Sequence, residues 1–140
     1  MSHMIIFSCF SNGEEAAFDL ARLKTILKTH RCELGRPGEH GYIPVSFPSK
    51  NGEVLIGTDE GGIAVDGDRA IEFAIGQPLY DEPMKQLAFA LLDQLDLCAY
   101  GDGSHLYSAR QIDADMVAED ILEECEDGIA IVSSPAELWP

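Results

Sequence analysis

Apolar side chains recur at two different spacings in the first third of the chain. Residues 4–9 are rich in Ile and Phe, which is typical of a buried strand. Ser11 and Glu14 then stand three residues apart, as in a capping box, and predict the start of a helix that runs to about Cys32. Gly35 lies just beyond as a stop signal. The apolar positions of this helix follow helical spacing and are Ala16, Ala17, Leu20, Leu23, Ile26 and Leu27.

Short apolar runs separated by turn residues fill the middle of the chain. Pro44 makes the first of these runs an edge strand, and Gly67 with Asp68 predicts the turn of a hairpin. The alternation after that turn predicts that Ile71, Phe73 and Ile75 point inward. Together these runs indicate an antiparallel meander of four strands, at residues 42–47, 53–57, 63–66 and 69–75.

Two further helices are predicted in the second half. The first begins at Asp81 or Glu82 with Pro83, and its inward positions are Met84, Leu87, Ala88, Leu91, Leu92 and Leu95. A short hairpin follows, at residues 97–100 and 105–108. The last helix spans residues 113–126, and its inward positions are Ala114, Val117, Ala118, Ile121, Leu122 and Cys125. A strand at residues 129–132 and a tail at 133–140 complete the chain.

These elements predict one α+β domain over residues 1–140, in which a mostly antiparallel sheet of about six to eight strands carries three amphipathic helices. No repeat or linker divides the chain. Residues 1–3 resemble a cloning remnant ahead of a start at Met4, and no secretory signal is seen, so a cytoplasmic location is expected. The four cysteines are far apart, which favours buried free thiols over a disulfide framework or a zinc site.

Charge narrows the possible functions. The 140 residues carry a net charge of -16, yet 46% of them are hydrophobic, which argues against disorder. Such a charge disfavours binding to nucleic acid or to an anionic membrane. Residues 1–50 hold five acids and six bases, whereas residues 51–140 hold twenty acids and three bases. The acidity therefore belongs to the second part of the chain.

The predicted third helix is the most acidic element and has no Lys or Arg. Its like charges at i, i+4 spacing, with carboxylates at its carboxyl end, are expected to oppose its stability by about 2 kcal/mol. One interpretation is a solvated face whose repulsion is screened by salt or met by Arg22, Lys24, Lys28 and Arg31. The other is a binding surface for a basic protein, formed by Asp115, Glu119, Asp120, Glu123, Glu124, Glu126 and Asp127.

Other candidate chemistry is weaker. Residues 58–62 and 66–68 place carboxylates in turns that could hold a hard cation, but their spacing matches no calcium loop. Ser104 and His105 are adjacent and point to opposite faces of a strand, and Cys32 has no local base besides His30 or His40. No glycine spacing matches a phosphate loop. We therefore expect no catalytic residue, metal or cofactor.

Three functions remain open. In size and charge the chain is similar to the small acidic immunity proteins that bacteria keep against their own toxins, which implies a protein that binds and masks a basic partner. Trp139 could serve it as an aromatic anchor, or could dock on its own domain. A second possibility is a small-ligand or enzymatic site near Tyr100, Asp102, His105 and Tyr107. A third is self-association between the basic first helix and the acidic third helix of another copy.

Overall fold

Strand β1 (Met4–Ser11) lies at the centre of the main sheet and pairs with strands on both sides. The computed structural model describes residues 4–38, 41–46, 62–76, 78, 80–101 and 103–139. The other strands are β2 (Glu14–Ala16), β3 (Phe18–Asp19), β4 (Glu33–Leu34), β5 (Val45–Ser46), β6 (Gly62–Asp66), β7 (Arg69–Gly76), β8 (Cys98–Tyr100), β9 (His105–Ser108) and β10 (Gly128–Ile131). The helices are α1 (Leu20–Thr29), α2 (Glu82–Leu95) and α3 (Glu119–Glu123).

The main sheet has eight strands in the order β10-β9-β8-β1-β7-β3, with β2 beside β1 and β6 beside β7. Every pairing is antiparallel except that of β9 with β10, which is parallel. Strands β4 and β5 form a separate two-stranded sheet. The predicted α+β domain with a mostly antiparallel sheet is confirmed.

The predicted helix start at Ser11 is wrong. Asn12 (φ 54°) and Gly13 (φ 82°) both have positive φ and form a two-residue hairpin turn, so Ser11 pairs with Glu14 across β1 and β2. Asn-Gly is the strongest short hairpin signal because both residues tolerate that conformation, and here it outweighs the capping spacing. Helix α1 runs from Leu20 to Thr29. Asp19 caps its amino end by accepting a hydrogen bond from the Arg22 N–H at 3.0 Å.

Helices α1 and α2 pack on one face of the sheet, which we call the first face. The apolar positions predicted for α2 are all buried there, and Asp81 caps the helix by accepting from the Met84 N–H at 3.1 Å. From the sheet, Phe7 and Phe73 stack at 5.6 Å between ring centroids. The sequence pattern of α2 is therefore confirmed, because local propensity, cap and burial all agree.

The hairpin of β6 and β7 is confirmed around Gly67, with one exception in its inward set. Phe73 and Ile75 are buried, but Ile71 is 36% exposed. The register shifts between Ala64 and Val65, and this bulge breaks the strict alternation on which the expectation for Ile71 depended. The predicted partner strand of residues 42–47, at residues 53–57, lies outside the described residues. Among the described residues, 45–46 pair with β4.

The second face of the sheet is covered by the segment that joins β9 to β10. Its buried cluster consists of Phe10, Cys98, Tyr100, Leu106, Ile112, Val117 and Cys125. Parallel strands need a connection that crosses one face of the sheet, and residues 109–127 supply it. The chain therefore has helices α1 and α2 on one side and this connection on the other.

The predicted continuous helix at residues 113–126 is wrong. Residues 114–116 form one 3₁₀ turn, Val117 is extended (φ −99°, ψ 145°), and α3 is only five residues long. Val117 is buried in the second cluster, and the Met116 carbonyl accepts a hydrogen bond from the Gly13 N–H at 3.1 Å. These contacts with the sheet and with the β1–β2 turn hold an extended residue where the apolar spacing alone favours helix. Ala114, predicted inward, is exposed.

All four cysteines are free, as predicted. Cys32, Cys98 and Cys125 are buried, whereas Cys9 is half-buried rather than buried. Burial raises the pKa of both the Cys32 and the Cys98 thiol to about 12. Such thiols stay protonated near neutral pH, and only the thiolate is a good nucleophile, so they act as small apolar side chains.

Candidate functional site

The acidic crossover, defined as residues 113–127 between β9 and β10, carries the densest charge in the chain. Every carboxylate in it is exposed: Asp113, Asp115, Glu119, Asp120, Glu123, Glu124, Glu126 and Asp127. Its apolar side chains face the second face of the sheet, so the acids are left on the outer side. The structure thus brings together on one exposed segment the seven acidic residues predicted to bind a partner.

The basic residues of the first helix do not neutralise this segment. Arg22, Lys24 and Lys28 lie on α1, which packs on the first face of the sheet, whereas the acidic crossover covers the second. Arg22 is also engaged locally, because its Nη2 donates to the Gln94 carbonyl at 2.6 Å. Among the described residues, the ion pair within 4.0 Å is that of Arg110 with Asp96, at 3.9 Å. The charge of the crossover is therefore met by solvent.

The carboxylates repel one another less in the helix that forms than in the longer predicted helix, for which about 2 kcal/mol was expected. Asp115 and Glu119 are separated by the extended Val117, so they are not a helical i, i+4 pair. Glu119 and Asp120 lie in the first turn of α3, where the helix dipole favours negative charge. The charges therefore destabilise this segment less than the sequence predicts, and the acidic crossover is distinguished by its exposed charge alone.

Trp139 packs on its own domain, away from the acidic crossover. Its ring contacts Tyr80 and Tyr107 edge to face, with centroids 5.1 and 5.7 Å apart, and Lys85 Nζ donates to its carbonyl at 3.2 Å. The preceding Leu138 is fully buried in the first-face core. The docked interpretation of the tail is confirmed, and Trp139 is not brought together with the seven acids.

Glu137 anchors this tail through its carboxylate. It accepts hydrogen bonds from the Ser133 N–H, from the Ser133 hydroxyl at 3.1 Å and from the Ser134 N–H at 3.1 Å. These donors favour the charged form, so they lower the pKa of Glu137 from its ordinary value of 4.5. A lowered pKa in the folded state stabilises the docked tail above the unfolded-state pKa, and that contribution is lost as the pH falls through the folded-state value.

We predict that the tail loosens at acid pH. Between pH 6 and pH 3, the fluorescence of the single Trp should shift to longer wavelength as Glu137 is protonated, because the Trp139 ring then becomes more hydrated. Glu137→Gln should show the shifted spectrum already at pH 6. Glu126→Gln, which removes an exposed carboxylate from the acidic crossover, should keep the wild-type pH profile. A wild-type pH profile in Glu137→Gln would contradict the prediction. Far-UV circular dichroism, measured on the same samples, shows whether the whole domain unfolds over this pH range.

The three described residues of the alternative small-ligand site, Tyr100, His105 and Tyr107, do not converge. Tyr100 lies in the second-face cluster, whereas Tyr107 packs on the first face against Trp139. The His105 ring is 5.5 Å from that of Tyr107, on the side away from Tyr100. Asp102 lies outside the described residues. The structure therefore splits the three described residues between two faces of the sheet.

A polar group on the second face was missed by the sequence reasoning. The Ser8 and Tyr100 hydroxyls share a hydrogen bond at 3.2 Å and are both buried, and burial raises the pKa of Tyr100. Glu72 is half-buried; its burial and the nearby Glu15 raise the pKa of its carboxyl. Burial also raises the pKa of Tyr42, and Glu72 adds to that shift. In the sequence, this buried polar group could have been recognised from single polar residues within apolar strands, Ser8 in β1 and Glu72 in β7.

Two observations on the described residues bear on a small ligand and on a metal. A shallow depression of about 230 Å³ lies between α1 and α2, beside Arg22 and Gln94, and is smaller than a typical ligand pocket of about 300–1,000 Å³. Within the described ranges, no group of three or more His, Cys, Asp or Glu is placed to hold a metal ion. No described helix is long and apolar enough to cross a membrane. No family model matches the chain, and no curated protein or solved structure is significantly similar to it.

Proposed function

We propose that this protein binds a basic protein through the acidic crossover and masks the cationic surface of that partner, in the manner of an inhibitor or immunity protein. One observation carries the proposal. Eight exposed carboxylates follow one another on a segment that has no basic residue, and the bases of α1 lie on the other side of the sheet. The negative field of this side is therefore not cancelled within the described part of the molecule.

Charge of this kind acts mainly on the rate and selectivity of encounter. A one-signed surface raises the association rate of an oppositely charged partner by about 10- to 1,000-fold and repels partners of like charge. Exposed ion pairs add little affinity, about 0.2–1 kcal/mol each. The partner consistent with this surface is a folded protein with a Lys- and Arg-rich patch, whereas phosphate backbones and anionic lipids are repelled.

We expect Glu119→Gln, Glu123→Gln and Glu126→Gln together to weaken binding of the basic partner about tenfold at low salt. Three lost pairs of about 0.2–1 kcal/mol each correspond to that order of change. The partner is obtained by affinity capture from the source cell at low salt and elution with salt, and its binding to purified variants is then measured. The free energy of unfolding should change by less than about 1 kcal/mol, because loss of the repulsion between Glu119 and Glu123 in α3 is offset by loss of a first-turn charge that the helix dipole favours.

The matched control removes three exposed charges elsewhere, by Glu33→Gln, Asp68→Asn and Asp93→Asn. It changes the net charge by the same amount and leaves the acidic crossover intact. Its binding should stay within about threefold of wild type, because these groups contribute to the long-range field alone. Equal weakening by both sets would show that net charge, not the acidic crossover, attracts the partner. Clear destabilisation by the first set would show that its carboxylates serve the fold.

Self-association is the second candidate, and one observation favours it. The basic residues Arg22, Lys24 and Lys28 and the acidic crossover lie on opposite sides of the sheet, so a head-to-tail contact between copies would pair opposite charges. Such a contact is heterologous and forms rings or filaments. Sizing of the purified chain at low and high salt decides the matter, because a salt-sensitive assembly supports it and a monomer throughout removes it.

A further inference from the structure

Strand β10 forms one end of the main sheet and has a free edge among the described residues. It pairs with β9 on its inner side, with Ala130 opposite Tyr107. Just past the end of β10, the Val132 N–H donates to the Ser108 carbonyl at 2.8 Å. The backbone N–H and C=O groups of Val132, and of Ala130 two residues earlier, therefore point toward β9. Because inward and outward groups alternate along a strand in a parallel pair, the backbone N–H and C=O groups of Ile129 and Ile131 point to the open side.

This edge is short, at four residues, but lacks the charged residues and the proline with which proteins often protect a sheet edge. Residues 128–134 contain no charged residue and no proline, although the chain as a whole carries a net charge of -16. Ile131 is 41% exposed, and with Ile71 it is one of two large exposed hydrophobic side chains in the described part of the chain. At the opposite edge of the sheet, β6 carries Asp66 and is partly covered by the bridge from Ile43 to Ile63. Unprotected edges are templates for an added strand.

The acidic crossover lies next to this edge. It leads directly into β10, so Glu126 and Asp127 stand immediately before the strand. Ile129 packs in the second-face cluster, and Ile131, two residues on, points to the same face. A strand added at this edge would therefore present every other side chain on the side that carries the crossover carboxylates.

We propose that the basic partner supplies an extended segment that pairs with β10 as an additional strand, with an apolar side chain against Ile131 and Lys or Arg side chains beside the acidic crossover. This inference rests on the proposed function and specifies its binding mode. Main-chain hydrogen bonds to an open edge supply affinity, and alternate side chains supply specificity. The occupant is a cationic segment, because a second copy of this chain would bring two acidic crossovers close together, where screening by salt is weakest.

The probe is a synthetic, acetylated peptide in which Lys and Val alternate along one strand face and Thr fills the positions between them, with a control peptide of the same sequence in which every backbone amide is N-methylated. The two peptides have the same side chains and charge, but the control has no backbone N–H to donate to a strand edge. We expect the control to bind this protein at least tenfold more weakly. On binding of the first peptide, amide hydrogen exchange should slow at least tenfold at Ile129 and Ile131 and change little at Ala130, which already faces β9.

Side-chain variants test the same surface without disturbing the fold. Ile131→Ala should weaken the first peptide about threefold to tenfold, because an apolar contact is lost. Ile71→Ala is the matched control, since Ile71 is about equally exposed but lies on β7. It should leave peptide binding unchanged.

The outcomes separate this inference from the proposed function. Equal binding of the two peptides, or no binding of the first, overturns strand addition, whereas the partner measurement with the three Gln substitutions decides separately on the acidic crossover. Protection of Ile129 and Ile131 that appears without peptide and grows with protein concentration would identify a second copy as the occupant and would also overturn the proposal. If exchange slowed only in β6, the added strand would lie at the opposite edge of the sheet, and the proposal would be overturned.

Discussion

Gly101→Ala is expected to destabilise the protein by about 2–5 kcal/mol, from backbone strain and overpacking together. Gly101 follows β8 with φ 128°, a conformation that other residues rarely adopt. A Cβ at this position would lie 2.2 Å from the carbonyl oxygen of Met4, in the central strand of the sheet. Relief of this contact requires β1 and β8 to move apart. Urea unfolding followed by circular dichroism measures the loss.

Gly103→Ala is the matched control for this substitution. Gly103 also has positive φ, at 83°, but a Cβ there meets no atom within 4 Å. Its replacement carries the conformational cost alone, about 1–2 kcal/mol. A difference of less than about 1 kcal/mol between the two variants would show that the sheet absorbs the contact at Gly101 by a small shift, contrary to the tight packing of protein interiors.

Leu138→Ala is expected to cost about 2–5 kcal/mol, the usual range for a large-to-small change in a core. Leu138 is fully buried in the first-face core, and the 3₁₀ turn of residues 135–137 packs on α2 beside it. Loss of this contact should also release Trp139 from Tyr80 and Tyr107. The free energy of unfolding and the emission wavelength of the single Trp are measured on the same variant.

Ile131→Ala provides the comparison for Leu138→Ala. Ile131 is a large apolar residue close to the tail but 41% exposed, so its truncation should cost less than about 1 kcal/mol and leave the Trp emission unchanged. An unshifted emission in Leu138→Ala would mean that Trp139 docks independently of Leu138. A small loss of stability with a shifted emission would mean that the tail detaches while the rest of the domain remains folded.

Elements with strong local signals were predictable. Helix α2 combines regular apolar spacing with Asp81 as cap and Pro83 in its first turn, and all these signals favour the same structure. The hairpins β6–β7 and β8–β9 have glycine-containing turns between short apolar strands, and both form as predicted. Where capping, spacing and turn chemistry agree, the local sequence leaves few alternatives.

Two elements could not be assigned from local spacing. Around Ser11 the capping pattern and the Asn12-Gly13 turn predict different structures, and pairing of β2 with β1 decides for the turn. In residues 113–126 the apolar spacing is helical, but burial of Val117 under the sheet and the hydrogen bond from Gly13 interrupt the helix. In both places contacts between residues distant in the chain outweigh local preference, which is worth only fractions of a kcal/mol per residue.

The sequence by itself determined the class of fold, most of the core and the exposed acidic stretch at residues 113–127, because burial follows side-chain chemistry and charged groups stay in water. The tertiary structure alone decided which groups meet. It places Tyr100 and Tyr107 on opposite faces, separates the bases of α1 from the acidic crossover, and leaves β10 at an open edge. The order of the strands, and the face of the sheet on which each side chain lies, depend on pairings between distant residues, and no local pattern encodes them.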